Sequence, residues 1–268
     1  MDNRRPIGVL DSGVGGLSVL RHLRLLLPAE AMLYAADAAW CPYGPRPAAM
    51  LRGRVREVAG VLVGRGAKLV VVACNSASTV ALADLRRRWP DVPFVGMEPA
   101  VKPAAIRTRS RAVGVLATAT TAAGEALAAL VARYGAAQGV DVHVAVPRGL
   151  VELVERGEGE SPAAVALLAP LIAAWRAAGV DAIVLGCTHF PFARGSIERL
   201  AGPAVTVVDP GPAVARQAAR VLAGTGALAP AGAAGGTAYL TSGDPAAFAL
   251  VLRRLASPGA GAPAVLAF

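Results

Sequence analysis

Two short segments of this 268-residue sequence constrain its fold more than any others: Lys68 to Thr79, KLVVVACNSAST, and Asp181 to Pro191, DAIVLGCTHFP. In each, an apolar run rich in Val, Ile and Leu ends at a cysteine that is followed by polar residues. Buried parallel strands present reactive groups at their carboxyl ends in this way. We therefore predict two strands that deliver Cys74 and Cys187 to such ends.

The chain ahead of each cysteine also repeats. IGVLDSGVGG at Ile7 to Gly16 resembles VGVLATATTAAG at Val113 to Gly124, so each cysteine follows a similar strand and turn. Short apolar runs alternate with helix-like periodicity, which predicts parallel sheets covered by helices on both faces. The expected fold is α/β, with two similar three-layer domains related by a pseudo-twofold axis and an active site between them.

The length of the chain allows two domains, because domains commonly run to about 100–200 residues. Proline-marked stretches at Glu98 to Arg111 and at Asp209 to Pro212 are interpreted as the crossings between them. The predicted domains, with one of the two paired cysteines each, are residues 1–98 together with 210–268, and residues 99–209.

Cysteine count and hydropathy bear on the compartment. Three widely spaced cysteines argue against a disulfide framework and for a reducing environment. The apolar run Ile7 to Leu10 is too short for a signal peptide, and the longest uncharged stretch, Val221 to Gly243, is broken by proline and glycines. We predict a cytoplasmic protein with no membrane span.

The formal net charge of +9 raises the question of nucleic-acid binding. The arginine clusters are not interleaved with aromatic residues, which make up only 4% of the chain. Solvated faces and helix ends are the favoured interpretation, and a nucleic-acid footprint stays open as an alternative. These clusters are Arg52/Arg54/Arg56, Arg86 to Arg88 and Arg107/Arg109/Arg111.

Both cysteines have a chemical and a structural interpretation. Cys74 precedes Asn75 and Ser76 at a predicted helix start, where backbone N–H groups and the helix dipole favour an anion such as a thiolate. A lone cysteine there would more often be a small buried hydrophobe. The matched pair favours chemistry instead.

Cys187 is followed two residues later by His189, which could lower the pKa of the thiol or carry its proton. A zinc site is the competing interpretation, but no CxxC, HExxH or second nearby histidine completes a ligand set. We predict no metal. His22, within a helix, and His143, within a strand, are expected to be structural.

Asp11 and Ser12 end the first strand and are followed by GVGG. A dinucleotide-binding loop stays open as an alternative, with Asp37 spaced for a ribose contact, although GxGxxG fails at Ser18 and no Walker lysine is present. No GxSxG motif supports a serine hydrolase. Two opposed thiols suit another reaction: inversion of a stereocentre, in which one thiol takes a proton and the other returns one.

The sequence resembles the cofactor-independent glutamate racemases of the aspartate/glutamate racemase family. The likeness spans nearly the whole chain. The motifs that carry it are DSGVGGLSVL, AWCPYGPRP at Ala39 to Pro47, ACNSAS at Ala73 to Ser78, VGVLATATT, LGCTHFP and LTSGDP.

The resemblance implies the interconversion of L- and D-glutamate without a cofactor, supplying D-glutamate for peptidoglycan. Cys74 would abstract the α-proton of D-glutamate, assisted by Asp11, and Cys187 that of L-glutamate, assisted by His189. The substrate-binding positions that it implies are Asp11, Ser12, Tyr43, Gly44, Asn75, Ser76, Thr118, Thr121, Thr188 and His189. Val146-Pro147 replaces the usual Cys-Pro, and the segment VPRGLVELVERG is one residue longer than the usual spacing. Glu152 is therefore not included among the predicted active-site residues.

The resemblance also implies a homodimer and leaves two alternatives. Family members are reported to bind DNA gyrase, so a regulatory binding protein is the rival from another functional class. Aspartate racemase is the nearest enzymatic rival.

Overall fold

The computed structural model describes residues 3–255 and the backbone of 265–267. Apolar runs rich in Val, Leu and Ala form most of the strands, as their buried faces require. The strands, in chain order, are β1 (Ile7–Asp11), β2 (Ala31–Ala36), β3 (Leu69–Val72), β4 (Phe94–Val95), β5 (Ala112–Ala117), β6 (Asp141–Ala145), β7 (Ala182–Gly186), β8 (Thr206–Val208), β9 (Gly236–Thr241) and β10 (Val265–Ala267).

These strands form two sheets, of order β10-β9-β2-β1-β3-β4 and β6-β5-β7-β8. All the strand pairs in both sheets are parallel. Parallel neighbours need crossover connections, which the helices supply. The helices are α1 (Leu17–Leu26), α2 (Ala48–Gly64), α3 (Asn75–Arg88), α4 (Val101–Arg107), α5 (Ala119–Ala122), α6 (Glu125–Tyr134), α7 (Leu150–Glu155), α8 (Pro162–Ala177), α9 (Arg194–Ala201), α10 (Gly211–Gly224) and α11 (Pro245–Leu255).

Each sheet has an apolar cluster on both faces. In the first sheet, Val71 packs with α1, α10 and α11, whereas its neighbours Val70 and Val72 pack with α2 and α3. In the second sheet, Ile183 packs with α7, α8 and α9, and Val184 with α4 and α6. The alternation follows from the two-residue period of a strand, and it confirms the predicted α/β class with helices on both faces.

The repeat in the sequence, IGVLDSGVGG and VGVLATATTAAG, corresponds to a repeated arrangement of strands. β1 lies beside β3, the strand that precedes Cys74, and β5 lies beside β7, the strand that precedes Cys187. The first sheet draws its strands from both ends of the chain and the second from the middle. The domain boundaries at residues 98/99 and 209/210 stay predictions.

Two segments differ from the expectation. The stretch from Glu98 to Arg111, marked by prolines, contains the helix α4. Pro103 is compatible with this helix because it lies in the first turn, where proline costs no hydrogen bond. The sequence pattern predicts one helix from Ala122 to Tyr134, but α5 ends at Ala122 and α6 begins only at Glu125, because Gly124 has extended backbone angles at the start of α6. Among the residues described, none of the helices combines the length and apolarity needed to cross a membrane.

Candidate active site

Cys74 and Cys187 each follow the carboxyl end of a parallel strand, and the two strands belong to different sheets. Cys74 follows β3 and is the N-cap of α3, with extended backbone angles, so its side chain lies against the first turn of that helix. Cys187 follows β7, and the chain then turns into the 3-10 segment Phe190–Ala193. Each thiol-bearing residue is only 5% exposed.

A cavity of about 130 Å³ lies between the two sheets, and both Cys74 and Cys187 line it. This shared cavity is the central geometric condition for an active site that uses both thiols. Seven further residues predicted for the site also line it: Ser12, Tyr43, Gly44, Asn75, Ser76, Thr118 and His189.

Three predicted site residues lie behind this lining rather than in it. Asp11 is fully buried and accepts hydrogen bonds from the backbone N–H of Gly13 at 2.9 Å and from the hydroxyl of Thr188 at 3.4 Å. Thr121 is 1% exposed and accepts a hydrogen bond from the Thr118 hydroxyl at 3.0 Å. These side chains hold the lining residues in place.

The Cys74 thiol has weakly polar surroundings. The backbone N–H of Ala77 points at its sulfur from 3.5 Å, and the sulfur lies 4.0 Å from the Ser12 hydroxyl. Burial, followed by the negative charge of Asp11, raises the pKa of Cys74. Burial also raises the pKa of Asp11 itself. At rest Cys74 is therefore a protonated thiol.

The Cys187 thiol has an ionisable partner. Its sulfur lies 3.7 Å from Nδ1 of His189, whose Nε2 forms a short contact with Oε1 of Glu155. Burial opposes a charge on His189, but its hydrogen bonds to Cys187, Cys41 and Glu155 prevail and raise its pKa well above the usual value. Burial opposes the charge on Glu155 too, and the hydrogen bond and charge of His189 lower its pKa.

The glycine-rich turn after β1 makes room for this pair. A Cβ on Gly15 would collide with the His189 ring, and a Cβ on Gly13 would collide with the Glu155 carboxylate. The backbone N–H of Val14, between them, donates to Glu155 Oε1 at 2.9 Å. The GVGG sequence thus allows close packing against side chains from α7 and from the turn after β7.

The opposite wall carries a row of hydroxyl groups. Ser76 Oγ lies 2.9 Å from Thr118 Oγ1, and this contact joins the first turn of α3 to the end of β5. Thr120 donates from its hydroxyl to the Gly44 carbonyl at 2.6 Å. Such hydroxyls donate or accept as a ligand requires, which suits a carboxylate or an amine.

Asn75 is the clearest sign that a polar ligand belongs here. Its side chain is 2% exposed and lines the cavity, yet neither Oδ1 nor Nδ2 has a hydrogen-bond partner within the described structure. An unpartnered buried amide costs free energy of about 1–3 kcal/mol. A bound polar molecule would satisfy it.

Asp37, the candidate ribose ligand of the dinucleotide alternative, is already saturated. It is fully buried and accepts from the Tyr43 hydroxyl at 2.6 Å, from Arg54 at 2.5 and 2.8 Å, and from Ser242 at 2.6 Å. This network leaves no acceptor for a ribose. It also occupies the Tyr43 hydroxyl, so Tyr43 meets the cavity with its ring and backbone.

The arginine clusters largely serve structural contacts. Arg54 binds Asp37, Arg56 pairs with Asp84 at 2.7 Å, and Arg86 donates to the Phe94 carbonyl at 3.0 Å. Guanidinium groups engaged in this way are poorly placed to bind phosphates. The contacts favour the structural interpretation of the clusters over a nucleic-acid footprint.

Sequence reasoning missed Glu155, the residue that contacts His189. The segment Leu150–Glu155 carries two carboxylates, Glu152 and Glu155, three positions apart on one face of α7. This spacing is the feature of the sequence that could have identified Glu155 as a candidate site residue. Glu152 and the exposed Arg148 line the cavity mouth, whereas Glu155 reaches the buried histidine.

Comparison with known proteins agrees with this geometry. Residues 7–218 match the model of the family described as Asp/Glu/Hydantoin racemase. The glutamate racemase of Roseiflexus sp. (strain RS-1) is 49% identical over 255 residues, which cover 95% of this chain and 93% of the relative.

Two solved structures extend the comparison. Thermus thermophilus glutamate racemase, in complex with beta-chloro-D-alanine, has a TM-score of 0.79 and 36% identity over 99% of this chain and 97% of that one. Escherichia coli glutamate racemase, in complex with L-glutamate and the activator UDP-MurNAc-ala, has a TM-score of 0.83 and 32% identity over 98% and 97%. The chain belongs to the Asp/Glu/Hydantoin racemase family.

Proposed function

We propose that this protein is a glutamate racemase, which interconverts L- and D-glutamate by proton transfer between the substrate α-carbon and two cysteines. The observation that carries the proposal is the single cavity lined by Cys74 and Cys187, one thiol from the end of a strand in each sheet. The names of the relatives supply the substrate.

Racemisation needs a base on one face of the α-carbon and an acid on the other. One cysteine, as thiolate, takes the α-proton and becomes a thiol, and the carbanion then takes a proton from the thiol of the other cysteine. The stereocentre is inverted, and the two sulfurs have exchanged their protonation states. Because the thiols supply both base and acid, this proton transfer needs no cofactor.

The base must first lose its own proton. We assign Cys187 to L-glutamate, with His189 Nδ1 receiving the thiol proton and Glu155 holding the imidazole. Cys74 is assigned to D-glutamate, with the buried carboxyl group of Asp11 as the acid–base group of that side. A thiol activated by a neighbouring group is a common way to obtain a base near neutral pH.

The remaining lining residues would hold the substrate. The hydroxyls of Ser12, Ser76 and Thr118, together with the unpartnered amide of Asn75, offer hydrogen bonds to carboxylate and amino groups. The N-terminus of α3, which has 14 residues, adds backbone N–H groups and a positive dipole end. Gly44 and Tyr43 close the wall beside Thr118. Thr121 and Thr188 support this set from behind.

The wider role follows from the reaction. D-glutamate would supply peptidoglycan synthesis in the cytoplasm, and the domain division at residues 98/99 and 209/210 would place the reaction between two lobes. A homodimer and an association with DNA gyrase stay predictions. Neither is needed for proton transfer between the cysteines and the substrate.

The test is a racemase assay with enantiopure L- and D-glutamate, followed by circular dichroism. We expect both enantiomers to converge on the racemate, and in heavy water we expect deuterium at the α-carbon of the product. A panel containing aspartate measures specificity. Turnover of aspartate without glutamate, or no glutamate turnover alongside salt-dependent binding of gyrase or DNA, would contradict the proposal.

A further inference from the structure

A third cysteine approaches the His189–Glu155 pair, and the proposed reaction gives it no role. Cys41 Sγ, a carboxylate oxygen of Glu155 and a ring nitrogen of His189 all lie within 4.8 Å of one another. His189 is buried, whereas Cys41 and Glu155 are partly exposed, so the group can be reached from solvent.

The three side chains come from distant parts of the chain, which is why motif spacing predicted no metal site. Cys41 ends the 3-10 segment Ala38–Trp40, Glu155 is the last residue of α7, and His189 follows β7. The Cys41 contact is close enough that it contributes to the raised pKa of His189 and to the lowered pKa of Glu155.

We propose that Cys41, Glu155 and His189 form a binding site for a zinc-like divalent cation, which inhibits the protein when it is occupied. A thiolate, an imidazole and a carboxylate are the donor types that zinc takes from proteins, at roughly 2.0–2.3 Å from the metal. Atoms that lie within 4.8 Å of one another can converge on such an ion with small side-chain movements.

The donor set also predicts selectivity. A thiolate selects Zn²⁺ or Co²⁺ over the hard cations Mg²⁺ and Ca²⁺, which prefer oxygen.

Three protein ligands leave a fourth position of the tetrahedral ion for water, as in catalytic zinc sites. The ion would occupy a nitrogen of His189 and also engage Glu155, the residue that holds the imidazole. His189 could then no longer take the proton of Cys187. The inhibition rests on the proposed function, whereas the metal site itself does not.

The primary test is optical. Titration of the full-length protein with Co²⁺ should produce the near-ultraviolet charge-transfer band of a cobalt–thiolate bond. Cys41→Ser should abolish the band and weaken Co²⁺ binding by more than about 100-fold, since loss of outer-shell partners alone costs about 10–100-fold. Cys74→Ser is the matched control and should retain the band, because Cys74 is not part of the cluster.

Two outcomes would overturn the site. A band that survives in Cys41→Ser but disappears in Cys187→Ser would place the metal on the Cys187–His189 pair instead. Absence of any band in the correctly folded protein would show that no thiolate-bound metal site forms. Should Cys41→Ser fail to fold, as judged by circular dichroism, Glu155→Gln tests the same site, with weaker Co²⁺ binding expected and no loss of the thiol.

An activity measurement separates the inhibition from the site. Zn²⁺ should inhibit glutamate racemisation, a chelator should restore it, and Mg²⁺ should have no effect. A protein that binds Co²⁺ as expected but shows no racemase activity without metal contradicts the proposed function and leaves the metal site standing. Full racemase activity with saturating Zn²⁺ contradicts the inhibition alone.

Discussion

On the Cys74 side of the cavity, the thiol lies against the first turn of α3 and 4.0 Å from the Ser12 hydroxyl. On the Cys187 side, the thiol lies 3.7 Å from an imidazole whose far nitrogen contacts a carboxylate. Both cysteines follow a strand of the same position in its sheet, but the groups that contact the two sulfurs differ.

The residues that follow each cysteine account for this difference. After Cys74 the helix begins at once, and Asn75 and Ser76 are already in its first turn. After Cys187 the chain bends for two residues before the 3-10 segment, which brings His189 beside the sulfur. Two strand ends of the same kind thus present two like thiols, while the turn that follows each strand places a different group beside the sulfur.

The largest expected effect on the comparison of the two sides is that of removing one thiol. Cys74→Ala and Cys187→Ala should each lower kcat for racemisation by about 10⁴-fold or more, at the upper end of what a general acid or base contributes. The measurement is circular dichroism with each enantiomer as substrate. If one variant turned over normally, a mechanism with one essential thiol would replace the symmetrical one.

His189→Asn and Asp11→Asn should distinguish the two sides. Each should lower kcat by about 10²-fold, because an acid–base partner is lost. The enantiomers have equal free energies, so kcat/KM must fall equally in both directions, and the asymmetry appears in isotope effects instead. With α-deuterated substrate, His189→Asn should increase the isotope effect on kcat/KM from L-glutamate, and Asp11→Asn that from D-glutamate.

Equal isotope effects from both enantiomers in both variants would contradict the assignment of one partner to each thiol. The reversed pattern would exchange the roles of Cys74 and Cys187 and leave the two-base scheme intact.

Glu155→Gln tests whether Glu155 acts by positioning His189. A hydrogen bond to a charged group is worth about 1.5–3 kcal/mol, so kcat should fall about tenfold or more. The isotope effect from L-glutamate should increase as in His189→Asn. Glu158→Gln is the matched control: this carboxylate follows the same helix but pairs with Arg156 at 3.2 Å on the surface. We expect near-normal turnover for it, and a loss equal to that of Glu155→Gln would count against positioning.

The sequence predicted the positions of the two thiols better than it predicted the side chains that pack around them. The strands before Cys74 and Cys187 were predictable because an apolar run that ends at a polar turn is a local pattern. The contact between Glu155 and His189 was not, because it depends on how α7 packs against a turn on β7. The saturation of Asp37 depends likewise on side chains from three separate segments. Local patterns predicted the positions of the two thiols at strand ends, and tertiary packing determined the groups that contact them.

The smallest expected effect concerns stability and the buried carboxyl group behind Cys74. Burial raises the pKa of Asp11, so the folded state holds its proton more tightly than the unfolded state does. Stability is therefore lost as pH rises above the ordinary value of about 3.9, and the loss is complete above the folded-state pKa. Asp11→Asn removes this ionisation, and its Tm should exceed that of the wild type at neutral pH.

Asp209→Asn provides a control of opposite sign. Burial raises the pKa of Asp209, but hydrogen bonds and charge from His22, the Gly211 N–H and Arg21 outweigh it, so the pKa is lowered. Its ionised form stabilises the fold above the ordinary pKa, so the variant should be less stable than the wild type at neutral pH. Both differences should shrink as the solution is acidified. If Asp11→Asn destabilised the protein at neutral pH, the favourable contacts of the Asp11 carboxylate would outweigh the free energy lost on its burial. Asp11 would then be ionised beside Cys74 at neutral pH.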